Sequence, residues 1–237
     1  MAFKFEQLGI DKNVEVLRRQ IKLAGKQVVD IGCGNMTFSK LLAGEGASVL
    51  AIDPDSRQAG LNREFLAGVD NGIRFTEAGA EAIPTTDDSQ DGVFFAYSLH
   101  HIDANQHEAA FEEVNRVLRD DGFVYVIEPI GGPLNDVMKL FHNEEVERAA
   151  AWLSLASWSK QFDQISAFEY HSIVEFENWD AFVNSYGNRS FNPSYTREDV
   201  CRDEVHEAFE AHATRTETGF QFPSSKRAVC MKRSDRR

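Results

Sequence analysis

The stretch that constrains this chain most is residues 28–53, VVDIGCGNMTFSKLLAGEGASVLAID. A β-branched run ends in Asp30, and a turn built on Gly32 and Gly34 follows. Phe38, Leu41 and Leu42 then recur at the helical period, and a second apolar run ends at Asp53. The order strand, tight turn, helix, strand makes a crossover unit with an acidic residue at the end of each strand. Glycines at the turn let the backbone approach a ligand, so the unit has the shape of a nucleotide-type cofactor site.

The theme repeats. Near-continuous apolar runs at 27–31, 48–52, 73–75, 93–97 and 123–127 read as strands covered on both faces, as in a parallel sheet. Helical stretches separate them. The clearest begins after Asp103, with Gln106 placed to complete a capping box and Ala110, Phe111, Val114, Val117 and Leu118 on one face. The alternation across 26–128 predicts an α/β fold with a doubly wound, mostly parallel, seven-stranded, Rossmann-like sheet. Ahead of it, Asp11 is placed to cap a helix carrying Val14, Leu17 and Ile21, with Gly25 as its stop.

Beyond Pro129 the alternation ends. Gly131, Gly132 and Pro133 break the chain, and 134–141 and 146–158 read as amphipathic helices, the second capped by Asn143 with Glu144 and Glu145 in its first turn. Phe168, Tyr170, Val174 and Phe176 suggest a strand broken near Ser172, then Trp179 to Tyr186 a short helix and 188–193 a loop. Thr196 caps a further helix. Residues 214–222 and 228–231, around a turn at Pro223, Ser224 and Ser225, read as an antiparallel hairpin on the sheet edge. The expected organisation is a cofactor-binding domain of residues 1–129 and 196–237, with 130–195 as a mainly helical cap over the ligand crevice.

In such a sheet the ligand sits beyond the carboxyl ends of the strands, where Asp30, Gly32, Gly34, Asp53, Glu81 and the residues after Tyr97 are expected to converge. A dinucleotide site calls for GxGxxG, and Thr37 stands where its third glycine belongs. That weakens an NAD-dependent oxidoreductase, which stays as an alternative.

VVDIGCGNM, AIDPD, GAEAIPTTDDSQDGVFFAYSLHHI and RVLRDDGFVYVIEP, in that order, resemble the successive motifs of the class I S-adenosylmethionine-dependent methyltransferases. The wording is most similar to the small-molecule group that includes the ubiquinone and menaquinone methyltransferases. The resemblance covers residues 26–129 and, more loosely, the last helix and hairpin. It implies S-adenosylmethionine as cofactor, with Asp30 and the Gly32 backbone holding the methionine amino end and Gly34 making room for it. Asp53 would bind the ribose, Pro54 would flank the adenine, Ala80 and Glu81 would meet its polar edge, and Tyr97 would offer main-chain contact near the methionyl group. Met36 and Gly79 depart from the pattern, since many members place a glycine and an acidic residue there. The bland readings stand beside these: Asp53 as the cap of the next helix, Asp30 as a structural acceptor for the glycine loop, Glu81 as a solvated acid.

A sulfonium is an already activated methyl donor, so in-line transfer to a small organic acceptor needs positioning more than a protein nucleophile. His100 and His101, directly after the fourth of these strands, are the candidate catalytic bases, with a backbone-bonded turn as the alternative. Adjacent histidines lack the i, i+4 spacing that turns two rings to one ion, so no metal site, such as one built from this pair and Glu128, is expected. The cap aromatics (Trp152, Trp158, Phe162, Phe168, Tyr170, Trp179, Phe182, Tyr186, Phe191) are expected to form mainly the lid's own core. A formal charge of −13 argues against a nucleic-acid partner. No apolar run approaches the roughly 18 residues that cross a bilayer, and three scattered cysteines fit a reducing, cytoplasmic setting. A noncatalytic S-adenosylmethionine-binding regulator remains the other alternative.

Overall fold

The computed structural model describes residues 3–68, 71–188 and 194–233. In chain order the elements are β1 (Glu6–Ile10), α1 (Asn13–Gln20), β2 (Gln27–Ile31), α2 (Thr37–Gly44), β3 (Ser48–Asp53), α3 (Ser56–Leu66), β4 (Ile73–Glu77), β5 (Gln90–Ala96), α4 (His107–Val117) and β6 (Leu118–Gly131). There follow α5 (Pro133–Met138), α6 (Glu145–Trp158), β7 (Gln164–Phe176), α7 (Trp179–Gly187), α8 (Arg197–Val200), α9 (Asp203–His212), β8 (Thr214–Thr216) and β9 (Gly219–Lys232). A 3₁₀ turn, Leu99–His101, leaves the end of β5.

The strands form one sheet in the order β1-β7-β9-β6-β5-β2-β3-β4, with β8 paired to β9. Pairing is parallel from β4 through β6 and between β1 and β7, and antiparallel wherever β9 takes part. The α/β, doubly wound, mostly parallel fold is therefore present. Among the described residues it holds nine strands rather than seven, because β1 had no apolar run to mark it and β7, expected in the cap, joins the sheet. The chain winds outward through β2, β3 and β4 and then returns to the other side of β2 as β5. That reversal opens the crevice.

Each face of the sheet carries its own apolar layer. Val29, Ile31, Val93, Phe95, Val124 and Val126 point to one face, against Phe111 and Val114 of α4 and Leu155 and Trp158 of α6. Val28, Phe94, Tyr125 and Ile127 point to the other, against Leu17 of α1 and Phe38 and Leu42 of α2. Side chains alternate along a strand, so a strand buried on both faces must be apolar throughout.

Residues 130–195 do not form a self-contained cap. β7 is unbroken at Ser172 and pairs with β9 along its whole length, from Gln164↔Lys232 to Phe176↔Phe220, while β6 pairs with β9 only as far as Gly131↔Ser225. The far ends of β7 and β9 thus project past the sheet, and Leu134, Val137, Phe182, Tyr186, Val200, Phe209 and Phe222 gather on them from α5, α7, α8, α9 and β9. So α8 and α9 belong with this projecting layer rather than with the cofactor domain, and α6 lies on the sheet. The 223–225 stretch is strand, not turn, because β7 supplies the hydrogen-bonding partners that those residues lack on their own; the reversal falls between Thr216 and Gly219.

Local capping differs in detail. Lys12 and Gln106 hold the N-cap positions of α1 and α4 without side-chain caps, whereas Thr196 and Asp199 do form a capping box on α8. The 188–193 loop falls, past Asn188, outside the described residues, as does Phe191. Among the described residues no helix is long and apolar enough to cross a membrane.

Candidate active site

β2 and β5 lie side by side with Asp30 opposite Phe94, and β3 flanks β2 with Ala51 opposite Asp30. At the end of β2 the chain turns through Gly32 (φ +67°) and Gly34 (φ +49°). A Cβ at Gly32 would stand 2.6 Å from the Cβ of Ser98, whose Oγ donates to the Ile31 carbonyl at 2.6 Å. Only glycine fits between the two strand ends. At Gly34 a Cβ would meet nothing within 4 Å, so this backbone faces open space. Met36 also sits at φ +59°, which costs a non-glycine residue about 1–2 kcal/mol; its fully buried side chain in the α2 layer offsets that.

Asp30 is 1% exposed. Its Oδ2 accepts from Ser39 Oγ at 2.5 Å, and its Oδ1 has no hydrogen-bond partner. Burial pushes the carboxyl up, the Ser39 bond offsets part of that, and nearby Asp53 adds to it, leaving the group at about 7. A buried, unpartnered carboxylate oxygen is costly unless a donor arrives.

Asp53, half-buried at the end of β3, accepts from the Gly34 N–H at 2.8 Å and from the Asp55 N–H at 3.0 Å, one bond on each oxygen. It is not the cap of α3. Asp55 fills that role, accepting from the N–H groups of Arg57 and Gln58. Asn62 of α3 reaches across to the Gly34 carbonyl at 2.8 Å and is itself held by Gln58, so the glycine turn is braced from both sides. Pro54 is exposed beside Asp53. Ala80 is buried in the sheet layer, and exposed Glu81 folds its carboxylate back over Gly79, filling the space a Cβ would need there.

Tyr97 closes the end of β5 at φ +59°. Its hydroxyl accepts from Asn13 Nδ2 at 2.9 Å, and Tyr170 donates to Asn13 Oδ1 at 2.9 Å, which ties α1 and β7 to the crevice. Burial raises the Tyr97 phenol far above its usual value. Lys226 of β9 stands opposite Tyr170, with its ammonium on the Ser172 hydroxyl and 5.9 Å from the centre of the Tyr97 ring. Among the described residues no carboxylate pairs with it, and burial brings it down to about 8.

The histidines separate. His100 is buried, its Nδ1 bonded to Glu128 of β6, whose other oxygen accepts from the backbone N–H groups of Leu99 and His100. Burial works against the imidazolium, but Glu128 and Glu144 outweigh it and hold His100 at about 9. That direction favours the imidazolium at neutral pH. His101 is 55% exposed in its side chain, with Nδ1 at 3.5 Å from Glu144. Glu144, buried just ahead of α6, also takes His142 Nε2 at 2.8 Å and Arg148 at 2.5 Å, and despite its burial His100, then His142 and His101, hold it well below the usual carboxylate range.

Glu144, Ser39, Asn62 and Lys226 were not marked by the sequence as site residues, and Glu128 only as a weighed metal ligand. Glu128 had a signal, a lone acid in an otherwise apolar strand. Glu144 looked like any first-turn acid, and only packing of α6 against the 3₁₀ turn buries it. Most cap aromatics are core: Trp158 stacks on Phe111 at 4.2 Å, and Trp179, Phe182 and Tyr186 pack within the projecting layer.

Residues 29–126 match the protein family described as a methyltransferase domain. Over 120 residues the chain is 37% identical to the ubiquinone/menaquinone biosynthesis C-methyltransferase UbiE of Hahella chejuensis, covering 48% of this chain and 47% of that protein. Over 115 residues it is 31% identical to the demethylmenaquinone methyltransferase of Clavibacter sepedonicus, covering 48% and 46%. The chain spans about half the length of the curated relatives it matches. The YcgJ protein of Bacillus subtilis shares the fold, with a TM-score of 0.60 over 93% of this chain and 97% of that one at 18% identity. Residues 29–126 are thus similar to a methyltransferase domain, and over about half of its length the chain is similar to the ubiquinone/menaquinone methyltransferases.

Proposed function

We propose that this protein is an enzyme that transfers a methyl group from S-adenosylmethionine to a small organic acceptor, in the crevice beyond the carboxyl ends of β2 and β5. The observation that carries the reading is Asp30 Oδ1, a buried carboxylate oxygen with no partner beside two left-handed glycines. An ammonium is the donor that such an oxygen lacks. S-adenosylmethionine, when bound, supplies a methyl group on a positively charged sulfur, ready for displacement.

The chain's own residues bind and orient. Asp30 Oδ1 takes the amino end, with the Gly32 backbone beside it and the open approach at Gly34. Each oxygen of Asp53 holds one backbone N–H and keeps a lone pair, which suits the two hydroxyls of a ribose. Pro54, Ala80 and Glu81 line the adenine side, and the Tyr97 main chain lies along the methionyl side. On the acceptor side Lys226 offers a partly desolvated ammonium next to the Tyr97 ring, which suits an acceptor with an acidic oxygen. Rate comes from alignment and exclusion of water rather than from a protein nucleophile. A charge of −13 supports a small molecule over a nucleic acid, and the cysteine usage supports a cytoplasmic setting.

Calorimetric titration with S-adenosylmethionine and S-adenosylhomocysteine tests the reading. Saturable binding of both at a single site is expected, and no binding of either at millimolar ligand refutes it. Binding without turnover over a broad acceptor panel, with a stable protein partner recovered, would replace the enzyme by a regulator.

A further inference from the structure

We propose that His100, His101 and Glu144 form a binding site for one divalent transition-metal ion of the Zn²⁺ type, at the end of β5. The three side chains offer His100 Nε2, His101 Nδ1 and Glu144 Oε1, all within 4.8 Å of one another. The two nitrogens stand 3.6 and 3.5 Å from the carboxylate oxygen, too long for good hydrogen bonds. Around an ion bound by nitrogen and oxygen at about 2.0–2.2 Å, tetrahedral ligand atoms stand roughly 3.4 Å apart. The cluster is already spaced for an ion.

The surroundings match what holds a metal ligand in place. A ligating imidazole commonly gives its second nitrogen to a carboxylate, which fixes the ring, and His100 Nδ1 is bonded to buried Glu128. Glu144 is fixed likewise, with Arg148 on its other oxygen and His142 on the same oxygen that faces the pair. Adjacent residues in an ordinary helix or strand would turn their rings apart. Here the 3₁₀ turn brings the two ring centres to 4.1 Å, and the third ligand comes from a different segment, which is why spacing along the chain did not reveal the set. Two nitrogens and one carboxylate suit a borderline ion such as Zn²⁺ over Mg²⁺ or Ca²⁺, which prefer oxygen. The exposed side of His101 gives an entry route and room for a water as fourth ligand. Binding would displace the proton from His100 Nε2. The inference does not depend on methyl transfer.

The test is titration of the chelator-stripped full chain with Zn²⁺ against a competing chelator, in the absence of other ligands. One equivalent is expected to bind at micromolar or tighter affinity, with about a tenfold or greater loss in His101→Ala and in Glu144→Gln. His101 is surface-exposed, so its variant keeps the fold, as unchanged circular dichroism and melting temperature would verify. Absence of saturable binding would overturn the proposal in favour of an imidazolium bridging Glu128 and Glu144. Wild-type affinity in a folded His101→Ala variant would overturn it equally, by placing the ion elsewhere.

Discussion

If Asp30 Oδ1 receives the cofactor ammonium, binding must strip the proton from Asp30 wherever the free protein still holds it. The carboxyl lies at about 7 in the free chain because burial outweighs its single bond to Ser39. At pH 5.5 the group is about 97% protonated, and binding should release about one proton; at pH 7 it should release about half of one. The amino group of the ligand, with an ordinary value of about 7.7–8.0, stays mostly charged in this window and takes up at most about 0.2 of a proton at pH 7. The same linkage makes the affinity about 15-fold lower at pH 5.5 than at pH 7, or about 1.6 kcal/mol. The assay is calorimetric titration of S-adenosylhomocysteine in buffers of differing ionisation enthalpy, whose slope against buffer enthalpy counts the protons. Asp30→Asn is the control, since it retains an acceptor for Ser39 and has no proton to lose. A zero slope at pH 5.5 in the wild-type protein, or an unchanged slope in Asp30→Asn, would refute the assignment of Asp30 to the ammonium.

Asp53→Ala should weaken cofactor binding by about 1–3 kcal/mol, the worth of hydrogen bonds to a charged group, and should also loosen the turn because Gly34 loses its acceptor; unchanged affinity in calorimetry would misplace the ribose. Gly32→Ala should lower stability by about 1–3 kcal/mol through its left-handed φ and the 2.6 Å approach to Ser98, measured as a shift in denaturation midpoint, and Ser98→Gly in the same chain should recover part of it. For Lys226 the folded value of about 8 lies below the ordinary 10.5, so its burial penalty is fully present below pH 8 and fades as pH rises towards 10.5. Wild-type stability relative to Lys226→Met should therefore rise between pH 8 and 10.5; a difference that stays flat over that range, in urea denaturation, would show the amine to be solvated.

The strand, turn, helix, strand unit was legible because local rules write it directly. A strand buried on both faces must be apolar, a left-handed turn takes glycine, and a helix on the sheet repeats every 3.6 residues. Five strands of the sheet, the glycine turn and the carboxylates of Asp30 and Asp53 followed from those rules alone. The role of Asp55 as the cap of α3, two residues beyond Asp53, was within reach of the same rules.

What only the tertiary structure decided are the features that depend on a partner distant in sequence. β7 is continuous and the 223–225 stretch is strand because each satisfies the other's backbone; the sequence marked β7 only as a broken strand and 223–225 as a turn. Glu128 and Lys226 meet the crevice only once β6 and β9 lie side by side. Glu144 becomes buried because α6 packs against the turn that carries His100 and His101, 43 residues earlier in the chain for the latter. Sequence determined the side of the site proposed to take the donor, where the contacts are local to a turn. The proposed acceptor side arises from contacts across the sheet and the candidate metal ligands from packing of α6 on the 3₁₀ turn, where periodicity carries no information about which residues will meet.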